Sequence, residues 1–87
     1  MEEKFYPRML EVMRTLFDNL PADELITIDD SFSEDLGLES LDFLDLLMCC
    51  ETTFGVNIET ATAKEIRTIR DLIKRIIAEK PDICDYL

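Results

Sequence analysis

Apolar residues near the N-terminus recur at three-to-four spacing: Phe5, Met9, Val12, Met13, Leu16 and Phe17. That period makes one stripe on a helix, predicted over residues 3–19. Pro7 fits only in a first turn, and Leu20-Pro21 ends the helix because the residue before a proline is pushed out of the α region. Residues 20–39 lose the period and are rich in Asp, Glu and Ser. Leu25, Ile26, Ile28, Phe32, Leu36 and Leu38 are spaced to pin this stretch down, so it reads as a long ordered loop. The period returns in a second helix from Ser40, a good N-cap type, to Phe54, with Phe43, Leu46, Leu47, Cys50 and Phe54 facing the core. Gly55 suits the residue just past its end, and Val56 and Ile58 re-enter the core. A short third helix is expected over Thr62–Ile66. A fourth runs from Ile69, capped by Thr68, to Glu79, with Ile69, Leu72, Ile73, Ile76 and Ile77 on its apolar face. Pro81 stops it, and residues 82–87 are expected to fray. The predicted fold is all-α: a small antiparallel four-helix bundle of three longer helices and one short one, with a long ordered loop between the first two.

The second helix has a further pattern. Leu41, Leu44 and Met48 form another apolar stripe at i, i+3 and i+7, beside Asp42 and Asp45. Such a stripe is either a binding surface or a face turned to a neighbouring helix. Charge favours a surface. The net charge is −11, yet from Thr15 to Ala63 there is no Lys or Arg. Twelve acids in that stretch give −12, and the remaining eight acids and nine basic residues leave +1. A field so segregated repels nucleic-acid phosphate and steers basic protein surfaces toward the middle of the chain. The alternative is an acidic surface that only confers solubility.

Composition removes many chemistries. The 87 residues predict one domain, 1–87, burying about 60% of its unfolded surface, too little for a deep active site. With no histidine, neither a Ser-His nor a Cys-His pair can form. Cys49, Cys50 and Cys84 lack C-x-x-C spacing and read as small apolar or surface residues of a reduced, cytoplasmic protein. No apolar run approaches the roughly 20 residues of a membrane span, and no apolar stretch typical of a secretory signal follows Met1-Glu2-Glu3-Lys4. No catalytic residue or metal site is expected: no carboxylate pair is marked out for acid–base work, and EF-hand spacing over Asp29–Ser40 fails because Glu34 and Ser40 stand where Gly and Glu are required.

The informative segment is Asp35-Leu36-Gly37-Leu38-Glu39-Ser40-Leu41-Asp42. A serine beyond a glycine turn at a helix start is exposed. It serves either as a cap or as a handle for a group whose phosphate the free helical N–H groups favour. The flanking acids would repel that phosphate and make better sense as docking groups for a basic partner.

This segment, with Phe32 ahead of it and Phe54-Gly55, Ile58, Ala63, Ile66 and Thr68-Ile69 behind it, resembles the acyl carrier protein family over about Val12 to Ile76. The family pattern is D-L-G-x-D-S-L at the start of the second helix. The resemblance implies that Ser40 carries covalent 4′-phosphopantetheine, placed there from coenzyme A by a phosphopantetheinyl transferase with Mg²⁺. The arm's thiol then bears acyl groups as thioesters, folded back between the second and third helices or offered to enzymes. It also implies docking through Glu39, Asp42, Asp45 and Glu51 and through Leu41, Leu44 and Met48. The protein would be a monomeric, non-catalytic carrier of fatty-acid or polyketide biosynthesis, meeting basic surfaces of ketosynthase, acyltransferase or acyl-ligase type enzymes.

Departures from the pattern bear on the partners. Glu39 replaces the usual Asp, Thr52 and Thr53 stand where acids are common, Cys49-Cys50 is unusual, and Lys64, Arg67, Arg70, Lys74 and Arg75 make the later helices more basic. These features suit a dedicated pathway carrier as well as a housekeeping one. Two other readings are a peptidyl carrier, which the missing His before the serine opposes, and an acidic interaction module whose Ser40 stays unmodified.

Overall fold

The structure is a computed structural model describing residues 1–58 and 64–86. Among the described residues it has three α-helices: α1 (Glu2–Leu16), α2 (Ser40–Phe54) and α3 (Ile69–Glu79), with 3₁₀ turns at Asp23–Leu25 and Ile83–Tyr86. The all-helical expectation holds. The short helix expected over Thr62–Ile66 begins outside the described residues; Lys64 and Glu65 are in 3₁₀ conformation and Ile66 is buried.

The core follows the expected stripes except at Leu16, the last residue of α1, which is 37% exposed because the chain turns away there. Phe5, Met9 and Met13 of α1, Leu46 and Cys50 of α2, and Leu72, Ile73 and Ile76 of α3 are fully buried, and α1 packs against both other helices. The Phe5 and Phe54 rings lie 4.9 Å apart, and the Arg8 guanidinium sits 5.7 Å above the Phe54 ring. Burial pushes the Cys50 thiol up to about 12, with smaller contributions from Cys49 and Glu51. Cys50 and Cys84 thus behave as buried apolar groups, while Cys49 is half-buried and within reach of Thr53 Oγ1.

Four local expectations are corrected. First, α1 ends at Leu16, with Phe17 extended, before the proline can act. Asp18 and Asn19 compete for backbone hydrogen bonds and favour turns. Arg14 bonds Pro21 O and, at 2.6 Å, Asp23 Oδ1, folding the chain back over the last turn. Second, Pro7 stands in the second turn, because the helix starts at Glu2; this forgoes the bond that an N–H there would make to Glu3 O. Third, Leu25 is 71% exposed and does not pin the loop; it sits in the 3₁₀ turn, while Ile26 and Phe32 are buried. Fourth, the C-terminal segment docks rather than frays, since Ile83 and Cys84 return to the core.

The long loop is held mainly through its backbone. Phe32 N–H donates to Arg67 O at 2.9 Å, Ile69 N–H to Asp30 O at 3.1 Å, and Arg70 N–H to Ile28 O at 2.7 Å. The Arg70 side chain adds ion pairs to Asp29 at 2.7 Å and Glu2 at 2.9 Å, tying loop, α1 and α3 together. Hydrogen bonding to Arg70 holds the Asp29 carboxyl below its usual range and raises the pKa of the guanidinium. At the start of α3, Thr68 Oγ1 accepts the Asp71 N–H at 3.1 Å and Asp71 Oδ2 accepts the Thr68 N–H at 3.1 Å, a reciprocal cap as expected for Thr68.

Candidate functional site

The approach to Ser40 is set by a turn. Asp35 and Leu36 N–H groups both donate to Ser31 O at 3.1 Å, and Asp35 Oδ2 accepts the Ser31 N–H at 2.7 Å. Gly37 then takes φ +70°, a left-handed conformation that costs a side chain strain. Leu38 N–H donates to Phe32 O at 2.9 Å, returning the chain to a buried anchor. The Phe32 ring packs 5.3 Å from Phe43, so the loop and the first turn of α2 share one support.

Ser40 is not the cap. Glu39 is the N-cap residue, and Ser40 is the first helical position. Asp42, three residues beyond the cap, supplies the acceptor instead: its Oδ2 takes the Glu39 N–H at 3.1 Å. Ser40 is exposed, and its hydroxyl has no hydrogen-bond partner among the described residues. The first-turn N–H groups beside it have no helical acceptor, as at any helix start.

The second stripe of α2 lies in solvent: Leu41 is 74% exposed, Met48 63% and Leu44 37%. The nearby acids divide by what they do. Glu39 and Asp45 are exposed, and Asp45 has no partner among the described residues. Asp42 is half-buried in its cap. Glu51 is also half-buried, with Oε2 accepting the Ile58 N–H at 3.1 Å and so fastening the chain after α2. The internal roles of Asp42 and Glu51 were not read from the sequence, although an acid three residues past a helix start is a known capping signal.

Ser40 also lines an open groove of about 640 Å³ whose apolar wall is Phe32, Leu38, Phe43, Leu44 and Ile66. Lys64 and Arg67 line the same groove, a juxtaposition that sequence spacing does not reveal.

The phosphopantetheine attachment site family matches residues 8–76, most of the chain. An acyl carrier protein of Petrotoga mobilis is 37% identical over 76 residues, 86% of this chain and 88% of that protein. This chain belongs to the acyl carrier protein family. The acyl carrier protein of Onion yellows phytoplasma is 46% identical over 56 residues, 64% of this chain and 74% of the relative. The mitochondrial acyl carrier protein of Saccharomyces cerevisiae is 35% identical over 77 residues, 86% of this chain and 61% of the relative. An acyl carrier protein is a carrier that works with biosynthetic enzymes, and its prosthetic group is phosphopantetheine. Among the described residues no helix is long and apolar enough to cross a membrane.

Proposed function

We propose that this acyl carrier protein bears its 4′-phosphopantetheine on Ser40 and delivers acyl thioesters to cytoplasmic enzymes of fatty-acid or polyketide type, as one carrier domain spanning residues 1–87. The observation that carries the reading is the Ser40 hydroxyl: exposed, free of internal partners, on the first residue of α2 and beside a groove. These residues fit the group. A hydroxyl already engaged as a cap would have to be released before modification, whereas here Asp42 does the capping. The arm supplies a thiol for thioester exchange; the protein supplies an accessible oxygen, a rigid helix start and a surface that partners can recognise.

That surface combines exposed Leu41, Leu44 and Met48 with Glu39 and Asp45. Apolar contact supplies affinity once docked, and the acids speed the encounter with basic partners. Asp42 and Glu51 add negative charge to the same helix while serving its geometry.

The test is intact mass after incubation with a promiscuous phosphopantetheinyl transferase, coenzyme A and Mg²⁺. One phosphopantetheine group should be gained by the native chain and none by Ser40→Ala. A native chain that gains nothing, or a Ser40→Ala chain that still gains the group, overturns the assignment.

A further inference from the structure

The groove beside Ser40 lies in the acidic half of the protein, and Glu34 and Glu39 are among its lining residues. Lys64 is the first basic residue after the run from Thr15 to Ala63, and it lines the groove with Arg67. Both side chains are exposed, and among the described residues neither has an acidic partner. The contrast with Arg70, three residues on and engaged by Glu2, Glu3 and Asp29, is sharp. Arg67 is nevertheless rooted firmly: its carbonyl accepts the Phe32 N–H at 2.9 Å and its N–H donates to Asp71 Oδ2 at 3.0 Å. Phe32 in turn packs on Phe43, in the first turn of the helix that starts at Ser40. The base of the Arg67 side chain is thereby fixed relative to Ser40 through two buried or half-buried rings.

We propose that Lys64 and Arg67 clasp the phosphodiester of the arm on Ser40 and draw the arm along the apolar wall of the groove. The inference rests on Ser40 as the attachment residue. A guanidinium meets phosphate oxygens through paired N–H donors, and an ammonium adds a point charge. Both offset the repulsion from Glu34 and Glu39, which would otherwise turn the arm outward to solvent.

The experiment uses the holo protein, with loading verified by intact mass. Amide and Arg67 Nε–H resonances are compared between apo and holo forms, and the ³¹P resonance of the phosphodiester is followed in low and high salt. A dansyl-bearing pantetheine analogue on Ser40 reports whether the arm lies in the groove. Loading should shift the Lys64 and Arg67 resonances, high salt should reverse the shift, and dansyl emission should move to the red in the Lys64→Gln/Arg67→Gln variant. The groove-bound fraction should fall about fivefold there, the size expected for exposed ion pairs. A loaded protein whose Lys64 and Arg67 resonances match the apo form, or whose dansyl emission is the same in native and variant chains, overturns the clasp alone. A chain that cannot be loaded overturns the clasp and the Ser40 assignment together.

Discussion

Asp42→Ala and Asp45→Ala remove the same charge from one helix, three residues apart, and should have unequal effects. Asp42 Oδ2 holds the Glu39 N–H at 3.1 Å at the start of α2. Losing a cap of this kind costs about 1 kcal/mol. Losing an acid from the first turn forfeits its interaction with the helix dipole, about 0.3–1 kcal/mol more. The total is about 1–2 kcal/mol, which for a domain of this size lowers Tm by roughly 5–15 °C. Asp45 is exposed, lies beyond the first turn and has no partner among the described residues. Its loss should stay within about 0.5 kcal/mol and can even stabilise, because it relieves repulsion in a chain of charge −11. Asp42→Asn keeps an acceptor and drops the charge, so it should fall between Asp42→Ala and the native chain. Urea unfolding of the apo protein, followed by circular dichroism at moderate salt, measures all three. Equal midpoints for Asp42→Ala and Asp45→Ala would refute the assignment of a capping role to Asp42. An Asp42→Asn midpoint equal to that of Asp42→Ala would show that charge alone matters.

Asp45→Lys should slow transferase loading by about tenfold or more at low salt while leaving the urea midpoint nearly unchanged, and the gap should close in high salt; initial rates over a salt series check this. Gly37→Ala should cost about 1–2 kcal/mol, because φ is +70° although the space around the added methyl is open; thermal melting reads the loss. The Cys50 thiol is kept neutral by the fold, its pKa pushed up from 9.0 to about 12. The stability this reflects is fully present below pH 9 and is lost as pH rises toward 12, by about 1.4 kcal/mol per unit. Cys50→Ala should be less stable than the native chain at neutral pH yet lose less on moving from below pH 9 to near pH 11; urea midpoints at both pH values measure the difference.

The apolar period made α2 and α3 legible to within a residue, because Gly55 and Thr68-Asp71 punctuate them with strong local chemistry. The end of α1 was less legible. Leu20-Pro21 is a sound stop signal, but the Arg14 contacts to Pro21 and Asp23 turn the chain earlier, and such contacts form only once the loop has folded back. Ser40 looked like a cap because serine is a favoured cap type, whereas Glu39 and Asp42 define the helix start. Helical spacing marked out the stripe of Leu41, Leu44 and Met48 but left open a neighbouring helix as its partner; its exposure to solvent comes from the packing of the folded chain. What spacing could not supply was the division of labour among the acids of α2, which depends on the Glu39 and Ile58 N–H groups they meet. The placement of Lys64 and Arg67 beside Ser40 is likewise a product of the fold.

The backbone ties from Ile28, Asp30 and Phe32 to Arg67, Ile69 and Arg70 bear on when the protein becomes competent during synthesis. Ser40 leaves the ribosome well before the residues that anchor its approach loop. A nascent chain with α1 and α2 alone would lack those partners, so the loop leading to the serine would be unbraced. Formation of α3 is therefore the event that braces the loop leading to Ser40, while the Gly37 turn and the Asp42 cap can form from local contacts alone.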